Sequence, residues 1–145
     1  MSLIDPELIQ VNVEASDWKD AIKKAVQPFV EHNKVTDKYS QRIIEIAKET
    51  GPYIVIAPHV ALPHASSKDG VLADAIGLTI LKTPVAFGNK DNDPVKYLFT
   101  LSSVKPEGHL DQMAELVQVL QKQNLYKQLD EAQDAAEVDA IVNNN

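Results

Sequence analysis

The chain contains no cysteine, which excludes a disulfide framework, thiol catalysis and any zinc site built on cysteine. No apolar run approaches the roughly 20 residues that a membrane-spanning helix requires. The N-terminal sequence MSLIDPELIQ lacks the basic segment and the apolar core of a secretory signal peptide. Together these absences predict a protein of the cytoplasm.

Positive charge is also scarce, with 14 Lys and Arg against 21 Asp and Glu and a net charge of −7. An excess of negative charge argues against nucleic acid and against anionic membrane surfaces, because their phosphates would be repelled. A basic protein surface is the kind of partner that such a chain attracts.

Several chemical signatures are missing as well. Neither GxGxxG nor a P-loop occurs, so nucleotide binding has no support, and neither HExxH nor His-x-His offers a metal-ligand spacing. Ser66 and Ser67 follow His64 but lie in no nucleophile elbow, which leaves serine hydrolysis without support.

The length of 145 residues suits one domain, residues 1–145, with its own core. Apolar periodicity predicts helices over 17–30, over 36–50 with Thr36 as N-cap, and over 107–121, 124–129 and 132–142. Alternation and short apolar runs predict strands over 53–57, 60–62, 71–81 and 95–101, with Pro84 ending the third. This order predicts a three-layer α/β/α sandwich with the sheet in the centre.

The segment GPYIVIAPHVALPHA, residues 51–65, carries the most information. Two short apolar runs end in Pro63-His64-Ala65, and the chain then becomes polar. His64 is therefore expected where a rigid segment meets a loop, and functional side chains are often found at such junctions. A strand-end histidine bonded to a backbone carbonyl would have the same position in the sequence.

The other histidines are weaker candidates when each is taken alone. His32 lies in a polar connection and is expected on the surface, and His59 is expected as a half-exposed turn residue. His109 falls in the first turn of a predicted helix, where free N–H groups favour anions such as phosphate. Brought together, His64 and His109 would form either a phosphoryl site, with one nucleophilic imidazole and one donor, or a two-histidine metal site.

An ordered set of short motifs resembles a known family, the phosphotransferase-system enzyme IIA domain of the mannitol/fructose class. The set comprises Ala21-Ile22, Val35-Thr36-x-x-Tyr39, GPYIVIAPHVALPHA, Asp91-Asn92-Asp93-Pro94-Val95, Leu98-Phe99-Thr100-Leu101 and His109-Leu110-x-x-Met113-x-x-Leu116. Within the class, GPYIVIAP and ALPHA are most similar to the ascorbate-type subgroup.

The resemblance implies a mixed sheet of about five strands flanked by helices, and a phosphotransferase with a phosphohistidine intermediate. It implies that His64 accepts a phosphoryl group at Nε2 from the phosphocarrier HPr and passes it to enzyme IIB. The membrane enzyme IIC would be reached indirectly. His109 matches the histidine that holds the phosphoryl oxygens, and no cofactor or metal is implied.

One functional position of the class departs from its pattern here. Mannitol-type members use an arginine before the PH motif, and that position falls on Lys48, whereas the nearest arginine is Arg42. The supporting cation therefore stays open between the two, and so does the choice between a monomer and a weak dimer. A regulatory enzyme-IIA-like domain phosphorylated on the same histidine is one alternative function, and a two-histidine metal hydrolase is another.

Overall fold

The computed structural model describes residues 3–106 and 108–143, with the backbone alone for 108–110. The strands are β1 (Ile9–Val13), β2 (Val55–Ala57), β3 (Val60–Ala61), β4 (Ala75–Val85) and β5 (Val95–Ser102). The helices are α1 (Trp18–Glu31), α2 (Lys38–Thr50), α3 (Gly108–Leu120), α4 (Leu125–Glu131) and α5 (Ala135–Asn143). No helix within these residues is both long enough and apolar enough to cross a bilayer.

Within the described residues, the strands form one mixed sheet in the order β1-β4-β5-β3-β2. β1 pairs parallel with β4 and β3 pairs parallel with β5, whereas β4–β5 and β2–β3 are antiparallel. Alternate residues of β5 enter opposite cores, with Leu98 packing beside α1 and α2 and Phe99 packing beside α3, α4 and α5. The predicted three-layer α/β/α sandwich is confirmed.

Helix α1 runs through Pro28 and continues to Glu31, although an interior proline usually breaks a helix. Pro28 has no N–H with which to donate to the carbonyl oxygen of Lys24, four residues earlier. Gln10 on β1 supplies the missing donor, since its Nε2 lies 2.7 Å from that oxygen. The side chain of an adjacent strand thus restores the hydrogen bond that the proline removes.

Strand β1 was not predicted from the sequence. Ile9, Val11 and Val13 do alternate with polar residues, but the strand has only five residues and Asn12 has a φ of 55°. Such a short irregular edge strand becomes evident only through its parallel partner β4. Its existence completes the count of about five strands that the family resemblance implied.

Several predicted boundaries were wrong, among them the starts of two strands, since β4 begins at Ala75 and not at residue 71, and β2 begins at Val55 and not at residue 53. Pro84 does not end β4, because it falls between the pairs Ile80–Tyr97 and Val85–Val95, where the ladder is irregular. A missing N–H is tolerated at such a break. Helix α2 begins at Lys38 with Asp37 before it, and Thr36 instead donates its backbone N–H to Gly70 O at 2.7 Å.

Candidate functional site

His64 lies just beyond the end of β3, where the chain leaves the sheet. The N–H of Leu101 donates to the carbonyl oxygen of Pro63 at 3.0 Å, so the β3–β5 pairing extends to the residue before the histidine. His64 itself is half-buried, and the residues from Ser66 onward form a polar turn. The structure therefore places His64 at the predicted junction between a rigid strand end and a loop.

A hydrogen bond determines which ring nitrogen of His64 carries the proton. Nδ1 lies 2.6 Å from the carbonyl oxygen of Leu62, and a carbonyl can only accept a hydrogen bond. Nδ1 must therefore be the donor, which leaves the lone pair of the neutral imidazole on Nε2. The bond to a backbone carbonyl was expected for a merely structural histidine, yet here it also prepares Nε2 as a nucleophile.

Two tyrosines contact the segment that carries His64. The ring of Tyr53 packs edge-on against the imidazole, with centroids 5.5 Å apart and planes at 73°, and its hydroxyl donates to the carbonyl oxygen of His64 at 2.5 Å. The fully buried Tyr39 donates to Leu101 O at 2.7 Å and accepts from the N–H of Ala65 at 3.0 Å.

Both phenols remain protonated at neutral pH. Burial raises the pKa of Tyr53 from 10.0 to about 12; the negative charge of Asp69 acts in the same direction, and the positive charge of Arg42 acts against it. Burial also raises the pKa of Tyr39, while its hydrogen bond from Ala65 acts in the opposite direction. Each hydroxyl can therefore serve as a hydrogen-bond donor throughout the physiological range.

The turn after His64 is closed by Asp69. Its Oδ2 accepts from the N–H of Ser66 at 2.9 Å, and its N–H donates to the carbonyl oxygen of Ser66 at 2.9 Å. The other carboxylate oxygen lies 3.3 Å from Nε of Arg42 on α2, and Arg42 also lies 3.6 Å from Glu45. Arg42 is thus the cation attached to the His64 turn.

Lys48 lies elsewhere on the same helix. It is exposed in the last turn of α2, six residues after Arg42, which corresponds to about 9 Å along the helix axis. Lys38, Arg42 and Lys68 line an open depression of about 710 Å³ between the first turns of α2 and the loop that follows His64. Asp37, Glu45 and Asp69 line the same depression, so basic and acidic side chains are equal in number there.

The predicted partner residue His109 lies in the first turn of α3. Its side chain falls outside the described residues, so the predicted pairing with His64 stays a prediction. The described part of α3 is attached to the end of β5, since Gln112 Nε2 donates to the carbonyl oxygen of Ser102 at 3.2 Å. That end of β5 also contacts Pro63 through Leu101.

The remaining two histidines lie apart from this junction, as expected. His32 follows α1, is 41% exposed in its side chain and lies 3.5 Å from Glu7. His59 is an exposed turn residue with a φ of 69°, and its Nδ1 lies 2.7 Å from Pro94 O. Among the described side chains, no group of three or more His, Asp or Glu residues is arranged to hold a metal ion.

Exposed apolar side chains lie in the loops near the end of β5 and not on β3. Val60, Leu62 and Phe87 are all buried in the two cores. Leu72 and Val104 are instead 55% and 46% exposed. They are placed near the end of β5 by the bonds Ser102 Oγ to Ala73 O and Val104 N to Asp74 Oδ1, each 2.8 Å. Leu72 and Val104 lie singly in polar loops, so apolar periodicity could not have identified them.

Comparison with known proteins assigns the chain to a family. Residues 2–145 match the family described as "Phosphoenolpyruvate-dependent sugar phosphotransferase system, EIIA 2", and the chain belongs to that family. It is 35% identical over 126 residues to the ascorbate-specific PTS system EIIA component of Shigella flexneri, which covers 87% of this chain and 79% of the relative. The resemblance of the motif set is thereby confirmed, and the chain is a component of a sugar phosphotransferase system.

Solved structures agree with this assignment. The mannitol-specific cryptic phosphotransferase enzyme IIA CmtB of Escherichia coli superposes with a TM-score of 0.84 at 29% identity, covering 98% of each chain. The nitrogen regulatory protein IIA-Ntr of Neisseria meningitidis has a TM-score of 0.76 at 21% identity and covers 97% of this chain and 96% of its own, which shows a shared fold.

Proposed function

We propose that His64 is the phosphoryl acceptor of this phosphotransferase, which takes a phosphoryl group from phospho-HPr and passes it to enzyme IIB. The observation that carries the proposal is the 2.6 Å bond from His64 Nδ1 to Leu62 O, which leaves Nε2 as the nucleophile. The half-buried position beside a polar turn suits a group that meets two protein partners in succession.

The transfer step needs little covalent chemistry from the protein. The lone pair on Nε2 attacks phosphorus, the bond between phosphorus and the donor breaks, and a phosphorus–Nε2 bond forms. The proton on Nδ1 stays hydrogen-bonded to Leu62 O, which stabilises the positive charge that the ring acquires. The same steps in reverse deliver the phosphoryl group to enzyme IIB.

Two further groups are proposed to stabilise the phosphoryl oxygens. Arg42 is linked to the His64 turn through Asp69, and a guanidinium can contact two phosphoryl oxygens at once. His109 lies in the first turn of α3, where the free backbone N–H groups of the helix favour an anion. We expect Arg42 and His109 to stabilise the phosphorylated protein more than the unphosphorylated one.

The transported substrate is proposed from the relatives. The Shigella flexneri relative is named as ascorbate-specific, so ascorbate or a related sugar is the first candidate, with enzyme IIC as the membrane component reached through IIB. A cytoplasmic location is proposed for the relay, and the dependence on phosphoenolpyruvate in the family description supports it.

Intact mass measured after incubation with phosphoenolpyruvate, enzyme I and HPr tests the proposal. We expect the wild type to gain one acid-labile phosphoryl group and the His64→Ala variant to gain none. Equal labelling of the two proteins would refute the site. The labelled protein should then lose its phosphoryl group on addition of a IIB protein, whereas a purely regulatory domain would retain it.

The metal-hydrolase alternative has a separate test. Metal content is measured on protein purified without a histidine tag, for the wild type and for His64→Ala. Stoichiometric zinc that is lost in the variant would favour the hydrolase over the relay.

A further inference from the structure

The two hydroxyls of Tyr39 and Tyr53 bind opposite ends of a single peptide group. Tyr53 donates to the carbonyl oxygen of His64 at 2.5 Å, and Tyr39 accepts from the N–H of Ala65 at 3.0 Å. That carbonyl and that N–H belong to the same planar unit. Both phenols come from outside the strand, Tyr39 from the first turn of α2 and Tyr53 from the turn before β2.

The Tyr39 hydroxyl occupies the place of a ladder hydrogen bond between β3 and β5. Tyr97 N donates to His59 O at 3.1 Å and Leu101 N donates to Pro63 O at 3.0 Å, in the same parallel register. The next bond in this register would run from Ala65 N to Leu101 O. The phenol lies between these two atoms instead, accepting from Ala65 and donating to Leu101 at 2.7 Å.

This insertion accounts for why the chain leaves the sheet at His64. A direct bond from Ala65 N to Leu101 O would extend the strand and keep residue 64 in the pleat. With a hydroxyl between them, the two backbones must separate at this residue. Ala65 is only 5% exposed, and its N–H donates to the phenol inside the protein.

Tyr53 adds a constraint on the imidazole itself. Its ring packs edge-on against the ring of His64, while its hydroxyl fixes the carbonyl of the same residue. Rotation of the peptide group or of the imidazole would therefore break a contact to Tyr53. The hydrogen bond between His64 Nδ1 and Leu62 O joins residues only two positions apart. It therefore forms only when the peptide group and the imidazole both keep this orientation.

We infer that Tyr39 and Tyr53 are positioning residues for phosphoryl transfer, which hold the His64–Ala65 peptide group so that Nδ1 stays bonded to Leu62 O and Nε2 stays the unprotonated nitrogen. The inference rests on the proposed function of His64 as acceptor. It assigns neither tyrosine a contact with the phosphoryl group, and both act through the orientation of the histidine.

The test uses Tyr53→Phe, Tyr53→Leu and Tyr39→Phe, with Tyr97→Phe as the matched control. Tyr97 is also buried and also donates a phenolic hydrogen bond, to Asp130, but it packs in the core on the other face of the sheet. Transfer rates from phospho-HPr are measured at varied donor concentration, together with the ¹⁵N shifts of the His64 ring in the unphosphorylated protein.

For Tyr53→Phe we expect kcat to fall about fivefold at unchanged KM, the rate equivalent of one hydrogen bond. Tyr53→Leu should lose about a further fivefold because the ring contact is also removed. Tyr39→Phe should lose about tenfold, and Tyr97→Phe should stay within about twofold of the wild type. In the first three variants, the ¹⁵N shifts should move away from the pure Nδ1-protonated tautomer.

Two outcomes are distinguishable. If the wild type is labelled on His64 but all four variants transfer at equal rates with unchanged ¹⁵N shifts, the tyrosines have only a structural role and the inference is wrong. If the wild type is not labelled on His64, the proposed function fails. The ¹⁵N shifts then still decide whether the two phenols orient the ring.

Discussion

Arg42 and Asp69 connect helix α2 to the turn that follows His64, with Nε of the guanidinium 3.3 Å from Oδ1 of the carboxylate. The same Asp69 closes that turn by accepting from the N–H of Ser66 at 2.9 Å. From the sequence, Lys48 and Arg42 were equal candidates for the supporting cation. The structure attaches Arg42 to the turn and places Lys48 at the other end of the helix.

Replacing Arg42 should therefore impair phosphoryl transfer, and replacing Lys48 should not. We expect Arg42→Ala to lower the transfer rate from phospho-HPr by about 10- to 100-fold, because a charge that stabilises phosphoryl oxygens is lost. Lys48→Ala, on the same helix, is the matched control and should stay within about twofold. Arg42→Lys should recover only part of the rate, since an ammonium cannot form the bidentate contact. A larger loss for Lys48→Ala than for Arg42→Ala would reverse the assignment.

Tyr39→Phe should destabilise the fold as well as slow the transfer. The change removes two buried hydrogen bonds, the one that Tyr39 donates to Leu101 O and the one that it accepts from the N–H of Ala65, which together cost about 1–3 kcal/mol. Urea unfolding of the variant and the wild type measures this difference. Tyr97→Phe should cost less, because its acceptor Asp130 is half exposed and keeps Lys96 as a partner at 2.7 Å. If Tyr39→Phe and Tyr97→Phe lower the free energy of unfolding equally, Tyr39 stabilises the fold no more than Tyr97 does.

The free energy of unfolding should decrease at alkaline pH because buried tyrosines ionise less readily in the folded protein than in the unfolded chain. Burial raises the pKa of Tyr53 to about 12, whereas a tyrosine in the unfolded chain ionises near pH 10. Above about pH 10 the unfolded state therefore holds fewer protons than the folded state, and the free energy of unfolding falls as the pH rises. Below about pH 9 this contribution is fully present.

Thermal unfolding measured across this range tests the linkage. The decline of Tm above about pH 10 should be less steep in Tyr53→Phe than in the wild type, because one raised pKa has been removed. Absorbance of the tyrosinate in the near ultraviolet reports the ionisation directly. Identical pH profiles for the two proteins would mean that Tyr53 does not contribute to the decline.

Gln10 and Pro28 should be energetically coupled across the boundary between β1 and α1. Gln10→Ala removes the donor to Lys24 O, which Pro28 cannot replace, and should destabilise the protein by about 1 kcal/mol. In a Pro28→Ala background the helix supplies its own donor, so the same change should cost clearly less. A double-mutant cycle in urea measures the coupling, and additive effects would show that the bond contributes nothing to stability.

Helices and layers could be predicted from the sequence because apolar periodicity depends on local geometry. The apolar stripe on α1 and the alternation in β5 can both be recognised from the spacing of residues within one segment. The stripe consists of Ala21, Ile22, Ala25 and Phe29. The motif set, with His64 at its centre, likewise gave the family. Strand β1 could not be found in this way, since its five residues are stabilised by pairing with a strand more than sixty residues away.

Residue types and their local order were sufficient to predict the three-layer fold, the family and the candidacy of His64. Only the packed structure shows that Arg42 is bonded to the His64 turn and that a hydrogen bond to Leu62 O holds the proton on Nδ1, as the implied acceptor nitrogen Nε2 requires. It also showed that Tyr39 and Tyr53 hold one peptide group between them. These are hydrogen bonds between residues up to 62 positions apart, and their geometry exists only once the sheet and α2 are packed together.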